Sequence, residues 1–314
     1  VIVVGGEALV DLVPGEPFES MGGGGLRPLL PRLGGGPYNV ALAIGRLGVP
    51  SAFLSRISTD RFGVALRERL HASHVDTGLV QDGAEPTTLA VVALDERGSA
   101  HYTFYTEGTA DRLFADPGPL PEATTALSLG TLGMVLEPGA GAYEAVLRRE
   151  AARGVLTALD PNVRPALIAD PAAYRARFAS WLGDVRLLKL SDDDACWLAE
   201  GTDPIEAAKS WVEAGVDAVV LTRGAEGLSV VTAAGRLVDV PSGSARVVDT
   251  IGAGDTVQGA LLAWLHRNGV GRLTELGREA WREALDFAAS AAAVTVSRSG
   301  AEPPTKDELA AHPG

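Results

Sequence analysis

Val248-Asp249-Thr250-Ile251-Gly252-Ala253-Gly254-Asp255-Thr256-Val257-Gln258-Gly259 is the stretch on which the reading of this chain turns. Before it lies Ser244-Ala245-Arg246-Val247-Val248, a β-rich run. After it Val257, Ala260, Leu261, Trp264 and Leu265 recur at helical spacing, and Asn268-Gly269 supplies a stop. The spacing predicts strand, glycine loop, helix. Gly252 and Gly254 allow a tight turn and a close approach of ligand to backbone. A helix start leaves amide N–H groups unpaired, with a positive dipole end behind them, and phosphate is the usual anion there. Asp255 is out of character, because a carboxylate repels phosphate. Two readings fit it. It caps the helix, as Asp often does, or it takes the proton from a hydroxyl that attacks phosphorus.

The 314 residues, 46% of them hydrophobic, suffice for one large α/β domain spanning 1–314. A formal net charge of -13 argues against nucleic-acid or anionic-membrane binding through bulk charge, while leaving room for a local basic site. Cys196 is the single cysteine, so no intrachain disulfide forms, and a reducing, cytoplasmic setting is expected. Val1–Val4 reads as a buried strand without the basic region of a signal peptide. No apolar run is long enough to cross a bilayer. The chain has no Gly-Lys-Ser/Thr for a P-loop, and no Gly-x-Gly-x-x-Gly follows the first strand for a nicotinamide cofactor.

Asp11 falls just past the carboxyl end of that strand, where open α/β sheets bind ligands. It either accepts hydrogen bonds from two sugar hydroxyls or is a solvated loop aspartate. Gly34-Gly35-Gly36-Pro37-Tyr38-Asn39 opens a helix whose apolar face is Val40, Ala43, Ile44 and Leu47, with Gly48 at its end. Asn39 caps that helix or faces a ligand. Gly22–Gly25 reads as a flexible loop tip. His71 and His74 have no third ligand near them in sequence and are expected in solvent rather than on a metal. Thr88–Leu94 and His101–Tyr105 alternate around Asp95-Glu96-Arg97-Gly98, which predicts a hairpin with one exposed face. Its Tyr102, Phe104 and Tyr105 line a ligand, cover a partner, or pack across the strands. Strand–helix alternation elsewhere predicts a doubly wound, mostly parallel α/β sheet with a small β-sheet lid.

Asp249-Thr250-Ile251-Gly252-Ala253-Gly254-Asp255 resembles the C-terminal signature of the PfkB (ribokinase-like) sugar kinases. Gly35-Gly36 followed by Asn39 resembles their N-terminal signature, and Asp160-Pro161-Asn162-Val163-Arg164 resembles a stretch of fructokinases and 2-keto-3-deoxygluconate kinases. The matches run in motif order through nearly the whole chain. The resemblance implies a ribokinase-like fold whose lid is formed by segments 11–33 and 87–106. It implies ATP-dependent phosphorylation of a sugar hydroxyl, with Asp255 as base and the N–H groups of Gly252, Ala253 and Gly254 on the moving phosphoryl group. Asp11, Gly35, Gly36 and Asn39 would bind the sugar, with Tyr102 and Phe104 from the lid. Asn162 and Arg164 would face phosphate or a substrate carboxylate.

For the nucleotide the resemblance implies Lys189, Ser191, Thr222, Gly224 and Gly227. Asp194 stands where the family's Asn/Ser-x-x-Glu motif has Glu; being one methylene shorter, it would meet Mg²⁺ through water. Asp192-Asp193-Asp194 equally suits a helix start through its dipole alone. Asp249 and Ile251, with the loop Ser297–Ala301, would hold a monovalent cation such as K⁺. Pro86–Ala90 and the run from Phe104 to Asp111 look fructokinase-like, so fructose is the expected sugar. 2-Keto-3-deoxygluconate is the runner-up, because Arg164 could pair with its carboxylate; ribose comes after it. A non-catalytic sugar-sensing protein on the same fold is the rival from another class, and it would normally lack the residue at Asp255. The expected partners are sugar, ATP and a second copy joined through the lid edges.

Overall fold

The computed structural model describes residues 1–15, 28–94 and 100–311. The glycine run at 22–25 and the turn at 95–98 lie outside the described residues. The chain starts in β1 (Ile2–Gly5), leaves for β2 (Leu9–Pro14) and β3 (Leu29–Gly34), and returns through α1 (Gly36–Arg46) to β4 (Ser51–Ser58). β4 lies parallel to β1, and after α2 (Arg61–Ala72) its far side takes the short strands β5 (Val75–Asp76) and β6 (Val80–Gly83). β7 (Thr88–Leu94) and β8 (Ala100–Tyr105) then leave the main sheet. β9 (Ala126–Gly130) comes back to the other side of β1. Growth continues on that side through α3 (Gly139–Ala152), β10 (Leu156–Asp160), α4 (Pro171–Trp181) and β11 (Leu187–Ser191). α5 (Asp192–Leu198), α6 (Pro204–Glu213) and β12 (Ala218–Thr222) complete the parallel part. β13 (Leu228–Thr232) and β14 (Gly235–Val240) form an antiparallel edge, and α7 (Ala253–Arg267), α8 (Arg278–Val296) and α9 (Lys306–Ala310) end the chain.

The main sheet therefore runs β14-β13-β12-β11-β10-β9-β1-β4-β5, with β6 also on β4. Its direction of growth reverses between β1 and β9, and in open α/β sheets a crevice opens outside the carboxyl ends at that point. Both faces of the sheet are covered. Ile2 and Val4 of β1 belong to the core on the side of α1, α7 and α8, while Val3 belongs to the core on the side of α3, α4 and α6. That is why the strands read as unbroken apolar runs rather than alternating ones. The small sheet has the order β3-β2-β7-β8, with β2 and β7 parallel and the outer pairs antiparallel. The doubly wound sheet and its small companion are as the sequence predicts. Among the described residues no helix is long and apolar enough to cross a membrane.

One expectation fails. Ser244–Val248 is not a strand; β14 ends at Val240 and the segment to Gly252 has no regular structure. Val247 and Val248 are 63% and 58% exposed, so nothing packs on them as a sheet neighbour would. Instead the N–H groups of Val248 and Asp249 both turn to the carbonyl of Val296 at the end of α8. The glycine loop is thus approached from an irregular strap pinned to a helix end.

α1 and α7 cross at Gly259. A Cβ there would lie 2.7 Å from Ala43 Cβ and 3.0 Å from the Val40 carbonyl oxygen, so glycine alone permits this approach. Gly259→Val should cost about 1–3 kcal/mol through overpacking. It should lower the melting temperature and move the two helix starts apart; thermal unfolding checks the first and loss of turnover the second.

Candidate active site

A cleft of about 390 Å³ opens where the strand order predicts it, at the carboxyl ends of the central strands. The starts of α1 and α7 form its floor. Gly252 is the N-cap of α7, at φ 78°, a left-handed conformation that favours glycine. Asp255 is the third residue of that helix and caps nothing, so the capping alternative is overturned. Its Oδ2 accepts a hydrogen bond of 2.9 Å from Asn39 Nδ2. Asn39 is no cap either, because Gly35 holds that position in α1. Asp255 is only 8% exposed, and burial pushes its pKa up to about 6 against the opposing bond from Asn39. A Cβ on Gly36 would lie 2.6 Å from Thr131 Oγ1, 3.3 Å from Asn162 Nδ2 and 3.5 Å from Asp255 Oδ1. Gly36 therefore keeps open the space on which the other oxygen of Asp255 faces.

The small sheet supplies one wall. Asp11 of β2 lines the cleft, and burial pushes its carboxyl up to about 6, with the Arg164 guanidinium working in the other direction. Tyr102 and Phe104 of β8 stack with centroids 6.0 Å apart and line the same wall. Tyr105 does not; it is an exposed residue outside it. Asn162 and Arg164 enter from the loop after β10. Arg164 donates one guanidinium arm to the carbonyls of Asn162 and Val163 and to Asn162 Oδ1, the last at 2.7 Å. Asn162 at φ 39° and Thr131 at φ 53° are non-glycine residues in the left-handed region. Backbone held this way clusters at ligand sites.

The far end of the cleft is formed by β11, β12 and α5. Lys189 donates to Asp160 Oδ2 at 2.7 Å, a buried ion pair. Ser191 caps α5 in a capping box with Asp194, and Asp194 Oδ1 also accepts from the N–H of Val163 at 2.8 Å. Ser191, Asp194 and Thr222 all line the cleft, as does Ile251.

Besides Tyr105, four residues singled out in the sequence are not in the cleft wall: Ala253, Gly224, Gly227 and Asp249. Gly227, at φ 93°, has a packing role, since a Cβ there would lie 2.5 Å from the Pro241 carbonyl carbon. Asp249 ties loops together, accepting from the N–H of Ile251 at 3.0 Å and of Gly300 at 2.8 Å. His71 and His74 are exposed, and no metal-binding cluster of His, Cys, Asp and Glu exists among the described residues. The cleft also contains residues the sequence reading passed over: Glu7, Leu9, Thr131, Leu132 and Thr250. Glu7 accepts from the N–H groups of Gly36 and Gly133, both at 3.1 Å, which favours its charged form, while burial pushes its pKa up to about 8. An acidic residue directly after the first strand was the available signal. Thr131 and Leu132 carried none, because only the return of β9 to β1 brings them in.

Residues 27–308 match the model of the pfkB family of carbohydrate kinases. The chain belongs to that family. It is 41% identical over 262 residues to a fructokinase of Rhizobium leguminosarum bv. trifolii, covering 83% of this chain and 78% of the relative. The fold superposes on a fructokinase of Xylella fastidiosa with bound ATP at a TM-score of 0.87, with 26% identity and coverage of 99% and 97% of the two chains. A double mutant of the Vibrio cholerae fructokinase, in a fructose-, ADP- and potassium-bound form, matches at a TM-score of 0.83, with 25% identity and coverage of 99% and 97%. This pfkB chain is an ATP-dependent sugar kinase.

The raised pKa of Asp255 has a stability consequence. The folded state holds its proton more tightly than the unfolded state, so stability falls as pH rises from about 4 to about 6 and stays reduced above. Asp255→Asn removes the buried charge and keeps an oxygen for Asn39. At pH 8 it should therefore melt no lower than wild type, with a gain of up to about 3 kcal/mol; calorimetry at pH 4 and pH 8 measures it.

Proposed function

We propose that the chain transfers the γ-phosphoryl group of ATP to a hydroxyl of fructose. The observation that carries the proposal is the place of Asp255. It is a buried carboxylate in the first turn of a glycine-capped helix, held through one oxygen by Asn39, with the other facing the cleft. On its sugar side stand Asp11, Gly35, Gly36 and Asn39, with Tyr102 and Phe104 excluding water. On its phosphate side stand the glycine loop, Asn162, Arg164 and Lys189, with Ser191 and Thr222 toward the nucleotide. Asp255 takes the hydroxyl proton as the sugar oxygen bonds to the γ-phosphorus. The bond from that phosphorus to the bridging oxygen breaks, and its electrons leave with ADP. The N–H groups of Gly252 and Gly254 meet the charge on the transferring oxygens, while that of Ala253 is donated to the Thr250 carbonyl. Gly224 and Gly227 shape the turn beside the nucleotide end rather than touching it.

Magnesium, when bound, would supply positive charge to the phosphate groups. The donors fit a hydrated ion: Asp194 already accepts from Ser191 and Val163, so it would hold the metal through a water on its remaining lone pairs. K⁺ would sit where Asp249 draws the 249–251 turn to Gly300, on backbone carbonyls of those loops. Arg164 supports a second reading, 2-keto-3-deoxygluconate, since the guanidinium in the cleft wall could receive its carboxylate. The sensing-protein alternative loses ground because Asp255 is present and oriented. An ADP-release assay over fructose, ribose and 2-keto-3-deoxygluconate, with and without a chelator, decides among them. Turnover of fructose that the chelator abolishes supports this reading. ADP release with the keto acid alone would replace it.

Four outcomes are expected. Asp255→Asn should lower kcat by about 10²–10⁴-fold with little change in either KM. In the wild type, kcat/KM should fall as pH drops through about 6, because the base of the free protein is then protonated. Asp11→Ala should raise KM for the sugar roughly 5- to 100-fold, equivalent to about 1–3 kcal/mol, and leave KM for ATP near its wild-type value; steady-state kinetics measure both. β3 and β8 are the open edges of the small sheet, and Leu29, Leu30, Tyr102 and Tyr105 are exposed on it. A homodimer joined there should scatter light as twice 32.4 kDa.

A further inference from the structure

We propose that Asp160 is a positioning residue of the transfer step: it holds the Lys189 ammonium against the first turn of α7, where that group meets the transferring phosphoryl oxygens. The inference rests on the kinase reading above and goes beyond it, since Asp160 touches neither substrate. Asp160 is the last residue of β10, and Lys189 lies on β11, the parallel neighbour. Their side chains meet at 2.7 Å and are 8% and 5% exposed.

The approach to the helix is permitted by a missing side chain. A Cβ on Gly254 would lie 2.9 Å from Lys189 Nζ, so glycine at 254 leaves the ammonium room against the helix start. One of its three protons goes to Asp160, and the group lies in the cleft wall beside the glycine loop. Buried ion pairs stabilise folds poorly, because desolvation offsets most of their attraction. This pair is better explained by where it puts a positive charge. Asp160 supplies the opposite charge that a desolvated ammonium requires, and the neighbouring strand fixes its direction.

The couple also acts on the base. The charged groups around it are Arg164 from the loop after β10, Asp194 from α5 and Asp255 from α7. Asp160 pushes the Asp255 carboxyl up, and Lys189 pulls it down. Removing either partner should therefore move the acid limb of the rate profile, in opposite directions.

The test compares wild type, Asp160→Asn, Lys189→Met and the double variant in the ADP-release assay with fructose from pH 5 to 9, with melting temperature as control. Asp160→Asn should lower kcat about 10- to 100-fold while KM for fructose stays within about twofold. Its acid limb should move to lower pH, and that of Lys189→Met to higher pH. The double variant should be no slower than Lys189→Met, because Asp160 acts through the lysine. Wild-type kcat in Asp160→Asn, an unmoved limb, or losses that multiply in the double variant would each overturn the proposal. If Lys189→Met does not fold, the rate and acid limb of Asp160→Asn decide alone. A wild-type chain that phosphorylates no sugar overturns the kinase reading and this proposal together, whereas an active wild type with an indifferent Asp160→Asn overturns this one only.

Discussion

The hydrogen bond from Asn39 to Asp255 joins residues 216 positions apart, and the site depends on it. It exists because α1 and α7 touch closely enough at Gly259 for their first turns to share one space. Each helix starts at a glycine, Gly35 or Gly252, so each presents backbone N–H groups toward the cleft. The bond fixes one carboxylate oxygen of Asp255 and leaves the other toward the cleft. The two helices together make an arrangement that neither makes alone.

Charge in the cleft is balanced over short distances. Asp255, Asp11, Glu7 and Asp160 are all shifted upward by burial, which disfavours their charged forms. Arg164 and Lys189 oppose that shift at Asp255 and Asp160, and Arg164 does so at Asp11. The overall acidity of the chain is therefore offset locally, because these cations and the helix N–H groups line the same cleft. Asp194 uses its carboxylate in structure, closing the capping box of α5 and holding Val163, and so connects two of the loops that line the nucleotide end.

The small sheet serves the other end. Its β2 carries Asp11 and its β8 carries Tyr102 and Phe104, so one wall of the cleft comes from a layer lying beside the main sheet. Two connections from the main sheet build it, β2 with β3 and β7 with β8, and its middle strands pair in parallel.

By itself the sequence determined the alternation of strands and helices, the glycine starts of α1 and α7, and the hairpin, while most of the residues that line the cleft came from the resemblance of its motifs to those of the sugar kinases. The first set is local: an apolar period, a glycine before a helix, a turn between alternating runs. Tertiary structure decided whether Asp255 and Asn39 cap their own helices or meet each other, since both arrangements have the same local sequence. It also decided that Ser244–Val248 is a strap, because a β-rich run becomes a strand only where a neighbour offers hydrogen bonds, and the nearest acceptor was the carbonyl of Val296. The pairing of Asp160 with Lys189 was invisible for the same reason. The two stand on neighbouring strands, and only the order in which the strands pair around β1 brings them within hydrogen-bond distance.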